Sequence, residues 1–183
     1  SGLVGVGGLF SCIVADPPWP YKGNGPVGTG GRGKDFVRAL PHPGSKVHYG
    51  TMEIAELCAL QVPSAANAHL YLWTTNAFVV EAHAIARAWG FRPITLITWA
   101  KVKEGGKPSM KTGYYFRGAS EHIVFAVKGS LKLRGGACAT WFPAPRLPHS
   151  RKPECSYAMV EEQSPGPYLE LFARRERLGW SAW

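Results

Sequence analysis

The chain is poor in cysteine, poor in acid and without long apolar runs. Its four cysteines, Cys12, Cys58, Cys138 and Cys155, are scattered, with no Cys-x-x-Cys pair and no histidine at zinc-finger spacing. A disulfide scaffold and a zinc module are therefore not expected, and reduced thiols of a cytoplasmic protein are. The histidines at 42, 48, 69, 83, 122 and 149 form no metal-spaced set, so no metal is expected. No Ser/His/Asp or Cys/His arrangement for nucleophilic catalysis stands out. No apolar run approaches the ~18 residues of a membrane span, so no membrane partner is expected. The Gly-rich opening from Ser1 to Phe10 carries no charge and does not read as a signal peptide.

Acid is the other shortage. Twelve Asp and Glu stand against 21 Lys and Arg, a net charge of +9. Only 18% of residues are charged and 12% are aromatic, which excludes a disordered basic tail. A chain of 183 residues is one domain's worth, residues 1–183, able to bury about 70% of its unfolded surface. The composition is that of a folded domain facing an anionic partner.

The positive charge is concentrated. Lys22, Arg32, Lys34, Arg38 and Lys46 against Asp35 give residues 22–48 a balance of +4. Lys101, Lys103, Lys107, Lys111, Arg117, Lys128, Lys132 and Arg134 against Glu104 and Glu121 give residues 101–134 a balance of +6. Both segments are also rich in glycine and aromatics. They read as two loops that grip a nucleic-acid backbone; a plainer reading is that loops are simply polar.

Short apolar segments rich in β-branched and aromatic residues predict strands at Ser11–Ala15, His69–Thr74, Pro93–Trp99, Glu121–Val127 and Tyr168–Ala173. Helices are predicted from a Thr51 cap to Gln61, from an Asn76 cap to Trp89 with Gly90 as the stop, and from Pro153 to Gln163. The run Pro143–Pro148 reads as an irregular crossing segment. Alternating strands and helices imply an α/β sheet covered on both faces, with ligands at the carboxyl ends of the strands.

Asp16-Pro17-Pro18-Trp19 follows the first strand directly. Two prolines stop the ladder and contribute no N–H, so the corner presents acceptors only. An exocyclic amine conjugated to a ring needs its lone pair turned out of conjugation before it can attack a methyl group. Asp16 and the Pro17 carbonyl are suited to accept its two hydrogens, and Trp19 to stack on a flipped base. The step is then an in-line displacement on the sulfonium methyl of S-adenosylmethionine, helped mainly by positioning. A plainer reading of Asp-Pro is a rigid turn at the end of a strand.

The motif and its companions in order resemble the MT-A70 family of adenine-N6 methyltransferases. The companions are Tyr49-Gly-Thr-Met52, Leu72-Trp-Thr-Thr-Asn76, Trp89-Gly-Phe91, Trp99-Ala-Lys101, Glu121-His122 with Val127-Lys-Gly129, Ser150-Arg-Lys-Pro153, Glu170-Leu-Phe-Ala-Arg174 and Gly179-Trp180. The resemblance implies a Rossmann-like class I methyltransferase: a mostly parallel sheet with helices on both faces, in permuted order. The catalytic strand comes first and the cofactor-side strand late. It implies S-adenosyl-L-methionine as cofactor, with Asp16, Pro17, Pro18 and Trp19 as the catalytic corner. Tyr49, Lys152, Phe172, Arg174 and Arg177 join Asp16 as cofactor contacts. Relatives usually continue past the Gly-Trp segment with a Gly-Asn-rich stretch over the adenosine, whereas this sequence ends at Trp183. They also often carry an acidic residue before the first strand, where this chain has Gly2–Gly8.

The substrate side is expected to draw on Lys22, Arg32, Lys34, Asn76, Lys101, Tyr114, Tyr115, Arg117 and Glu121. Gly28–Gly33 has dinucleotide-fingerprint spacing but lacks a strand before and a helix after it. It reads instead as a loop that closes over substrate. Compact relatives look prokaryotic or phage-like, which favours DNA over RNA and a bacterial or phage-infected cytoplasm. A non-catalytic nucleic-acid-binding subunit and a small-molecule amine methyltransferase are the alternatives. With no room for a separate recognition domain, a homodimer or a partner subunit is expected.

Overall fold

The computed structural model describes residues 9–20, 50–110, 115–148 and 151–183. The apolar runs become strands, of which β1 and most of β2 are buried on both faces. Phe10–Ala15 is β1, Ser64–Thr74 β2, Arg92–Val102 β3, Ser120–Lys128 β4, Trp141–Pro145 β5, Tyr168–Leu171 β6 and Trp180–Ala182 β7. Among the described residues they form one seven-stranded sheet in the order β5-β3-β4-β2-β1-β6-β7. β1 pairs in parallel with β2 and β6, β3 with β5, and β6 with β7, while β4 runs antiparallel to β2 and β3. The carboxyl ends of β1, β2, β3 and β6 therefore share one edge with the amino end of β4. This is the mostly parallel α/β sheet that the sequence implied, with β1 inside it between β2 and β6.

Helix α1 (Ile54–Cys58) and helix α2 (Val79–Ala88) cover one face; α3 (Glu154–Gln163) covers the other. Ile13, Leu70, Leu72 and Val124 pack against Leu57, Ile85 and Ala86 on the first side. Tyr71, Trp73, Ile97, Trp99 and Phe125 meet Val160 on the second. Alternation along β2 sends neighbours to opposite cores, so a one-residue slip would exchange the two layers. α2 stops where expected, at Gly90, whose φ of 82° closes the turn without a Cβ clash.

Several expectations are corrected. α1 is one short turn whose cap is Glu53, not Thr51, held by a reciprocal capping box with Glu56. The segment 141–145 is a strand rather than an irregular crossing. Its prolines are tolerated because β5 lies at the sheet edge and pairs on one side only, with β3. β7 joins the other edge, and beyond it Trp183 donates its backbone N–H to the Glu170 carbonyl at 3.0 Å. The second basic segment is divided by the direction of β4. Lys128 pairs with Ala68 near the start of β2, at the far end of the sheet from Asp16. Lys132 and Arg134 follow it there, so they do not flank Asp16–Trp19.

Candidate active site

The site forms where β1 ends. Asp16 is partly exposed, and two prolines hold the turn that follows. The Pro17 carbonyl accepts the Trp19 N–H at 2.9 Å, and the Pro18 carbonyl accepts the Met52 N–H at 3.0 Å. Pro17 thus keeps one oxygen lone pair for a ligand. Trp19 departs from the expectation of an open stacking platform. It is 5% exposed, and its ring stacks on Phe78 at 5.0 Å with 13° between planes. Its indole N–H is buried without a protein partner among the described residues. It still contributes to the lining of the cleft.

A chain of alternating charges runs from this corner into the sheet. Lys152 Nζ lies 3.1 Å from Asp16 Oδ1 and 2.9 Å from Glu121 Oε2. Glu121 Oε1 in turn accepts Lys101 Nζ. The two ammonium groups also sit over indole rings, Lys152 4.7 Å from Trp73 and Lys101 4.5 Å from Trp99. Burial pushes both lysines toward the neutral form, with opposite outcomes. Lys152 faces two carboxylates, and their attraction outweighs burial and holds it above its usual value. Lys101 has only Glu121, so burial wins and its value falls. Burial would raise Glu121, but Lys152 and Lys101 hold it down.

This chain of charges divides a cleft. One side, about 420 Å³, is lined by Asp16, Pro17, Trp19, Thr74, Thr75, Glu121, Lys152 and Arg174. The other, about 700 Å³, includes Asp16, Lys152, Tyr157, Glu170, Phe172, Arg174 and Arg175. Phe172 has a φ of 63°, a left-handed conformation that a phenylalanine seldom adopts, at the end of β6. It is buried, and its ring meets Trp183 edge-on at 5.5 Å. Burial raises the Glu170 carboxyl, although Tyr157 donates its hydroxyl to it at 2.6 Å and Arg175 and Arg177 pull it down.

Arg177 is placed otherwise than expected. It pairs with Glu154, and its guanidinium lies 3.9 Å from the Tyr157 ring centroid. Its charge is thereby engaged beside the cleft rather than offered to a ribose. Hydrogen bonds from Arg177 and Arg175 bring Glu154 down from 4.5 to about 2. The folded-state value is depressed, so this contribution to stability is complete above pH 4.5 and lost as pH falls toward 2. Glu154 is more than half exposed, so solvent screening keeps the contribution small. The melting-temperature gap between the native protein and Glu154→Gln is expected to narrow from pH 5 to pH 2.5, as thermal melts would record.

Asn76 stands exposed after β2, where its side-chain oxygen accepts His122 Nε2 at 2.6 Å. His122 Nδ1 faces the Thr98 hydroxyl at 3.0 Å. This arrangement leaves the Asn76 amide N–H groups as outward donors. Lys101 is corrected from a substrate contact to a buried ion-pair member, 6% exposed. Tyr115 and Phe116 are 88% and 94% exposed beside the exposed Arg117. Lys22, Arg32, Lys34, Tyr49 and Tyr114 lie outside the described residues. Thr74, Thr75, Tyr157, Glu170, Arg175 and Phe116 were missed. Glu170 had a signal in the sequence, a lone acid inside an otherwise apolar strand. Among the described residues no group of acids, cysteines and histidines is arranged to hold a metal.

A Rossmann-like α/β sheet with a charged cleft at the carboxyl ends of its central strands defines a nucleotide- or cofactor-binding class of fold. The chain belongs to the MT-A70 family, whose model matches residues 10–183. It is thus a member of an adenine-N6 methyltransferase family. It is 30% identical over 180 residues to a Medicago truncatula protein named putative N(6)-adenosine-methyltransferase MT-A70-like. That match covers 94% of this chain and 26% of the relative. It is 27% identical over 176 residues to the Homo sapiens N(6)-adenosine-methyltransferase catalytic subunit METTL3, covering 93% of this chain and 27% of that protein. It is 27% identical over 183 residues to the type II methyltransferase M.MunI of Mycoplasma sp, covering 95% of this chain and 76% of the relative. The chain therefore spans about a quarter of the length of its N(6)-adenosine-methyltransferase relatives and most of M.MunI.

Proposed function

We propose that this chain transfers a methyl group from S-adenosylmethionine to the N6 amine of adenine in nucleic acid, DNA in preference to RNA. The observation that carries the reading is the Asp16 carboxylate, which ends β1 in a cleft with the Pro17 carbonyl and is fixed by Lys152 at 3.1 Å. Asp16 accepts one N6 hydrogen and the Pro17 oxygen the other. Drawing both hydrogens to one side turns the nitrogen lone pair away from the ring. Asn76 offers amide donors suited to ring nitrogens.

The larger side of the cleft fits the cofactor by its chemistry. It joins a cation and a carboxylate, Lys152 and Asp16, as an amino-acid zwitterion requires, with Glu170 for hydroxyls and Phe172 for an aromatic face. When bound, the cofactor supplies an electrophilic methyl on a sulfonium. The exposed Tyr115, Phe116 and Arg117 suit stacking on bases and contact with phosphate.

DNA is favoured by length: the relative covered to 76% is a type II methyltransferase by name, while the N(6)-adenosine-methyltransferases are covered only to about a quarter. The test is incubation with labelled cofactor and matched DNA and RNA, followed by digestion to nucleosides. Label in N6-methyldeoxyadenosine is expected. Label in the ribonucleoside alone would reverse the preference, and label in neither would reject the reading.

A further inference from the structure

Lys101 carries a positive charge that lines neither side of the cleft. Its side chain is 6% exposed, rests over Trp99 and is paired with Glu121. Trp99 meets Trp73 edge-to-face at 6.2 Å, and Trp73 carries Lys152 on its own ring. Two lysines are thus seated on one rigid indole pair, with Glu121 bridging them. We infer that Lys101 is a positioning residue for methyl transfer, acting through Glu121 to hold Lys152 against Asp16 rather than touching nucleic acid. This rests on the adenine-N6 reading of the site.

Charge balance gives Lys101 this role. Two ammonium and two carboxylate groups sum to zero in the sheet edge. Remove the Lys101 charge, and Glu121 and Asp16 compete for one ammonium. Glu121 is then free to draw Lys152 with both oxygens, away from Asp16, or to take up a proton. In either case the Asp16 carboxylate loses its fixed orientation toward the amine. A misplacement of about 1 Å costs roughly 100-fold in rate at such a centre. Arg146 is the other cation acting on Lys101, and it is occupied with the Ser109 and Gly118 carbonyls. Lys101 and Lys152 both act to hold the Glu121 carboxyl below its usual value.

Lys101→Met and Lys101→Arg test this against the native chain. For Lys101→Met, kcat is expected to fall about 100-fold. Its nucleic-acid affinity and the salt slope of binding should stay unchanged. The acid limb of the rate profile should move to higher pH, because Glu121 has lost a cation that held it down. Lys101→Arg should restore most of kcat. A salt slope reduced by about one with kcat intact would make Lys101 a phosphate contact and overturn the proposal. So would an unchanged kcat and acid limb. The Lys152 ammonium signal in 15N NMR provides a readout without turnover. It is expected to be sharp and protected from exchange in the native chain and broadened in Lys101→Met. An unchanged signal would reject the positioning role whether or not the native chain methylates adenine. Absence of methylation with the signal change intact would reject only the functional reading.

Discussion

Asp16→Asn is expected to lower kcat for methyl transfer by about 1,000-fold, at the upper end of what one electrostatic group contributes at a reacting centre. Asparagine keeps the shape of the side chain but not its capacity to accept on both sides. If its oxygen turns to the target amine, its NH2 faces the Lys152 ammonium. If its oxygen turns to Lys152, its NH2 faces the amine. Either orientation sets donor against donor. Nucleic-acid binding should be preserved, since its charge lies elsewhere. Counting methyl groups transferred, beside anisotropy titrations at several salt concentrations, measures both. A kcat within threefold of native would reject Asp16 as the group that orients the amine.

Lys152→Met is expected to damage both stability and activity. Lys152 is 9% exposed and serves two carboxylates that are 19% and 18% exposed. Its loss leaves Asp16 without this ammonium and Glu121 with Lys101 alone. Breaking a buried pair this way costs roughly 3–5 kcal/mol, and the lower figure applies because both carboxylates reach the cleft. For a domain of this size that is a fall in melting temperature of roughly 6–12 °C. The deficit should shrink as pH falls below 5, when Glu121, no longer held down by Lys152, takes up a proton. A folded-state value raised by this change means that stability returns on the acid side. Calorimetric melts at pH 7 and pH 4 would measure it, and Lys152→Arg should recover most of the loss. An equal deficit at both pH values would show that the lysine acts through packing on Trp73 instead.

The architecture was largely legible because its signals are local. The apolar runs around Ile13, Leu70, Ile97 and Val124 are strands, and Gly90 and Pro153 punctuate helices where their backbone chemistry demands. Missed elements lie where local chemistry misleads. Trp141–Pro145 carries two prolines and is a strand only because an edge asks for hydrogen bonds on one side. Asp16 and Lys152 were read from motif and resemblance, and the cleft does join them. Lys101 and Trp19 were misread because their partners come from elsewhere in the chain. The β3–β4 register that puts Trp99 opposite Glu121 sets Glu121 beside Lys101, and the turn before α2 brings Phe78 to Trp19. The charge count erred for a related reason. A balance of +6 over residues 101–134 says nothing of strand direction, and β4 takes Lys128 to the opposite end.

That reversal of β4 has a consequence for how this fold can diversify. In a wholly parallel sheet, each loop over the cleft is tied to a helix that must cross back, so lengthening it disturbs a packed layer. Here the chain leaves the sheet after Val102 and re-enters at Ser120 on the same edge, with no crossover between. The connection that carries Tyr115, Phe116 and Arg117 starts and ends at the cleft edge of the sheet, and Arg146 holds the Ser109 and Gly118 carbonyls near its two ends. A change of length there displaces no crossover helix, so the residues over the cleft can vary while the sheet stays as it is.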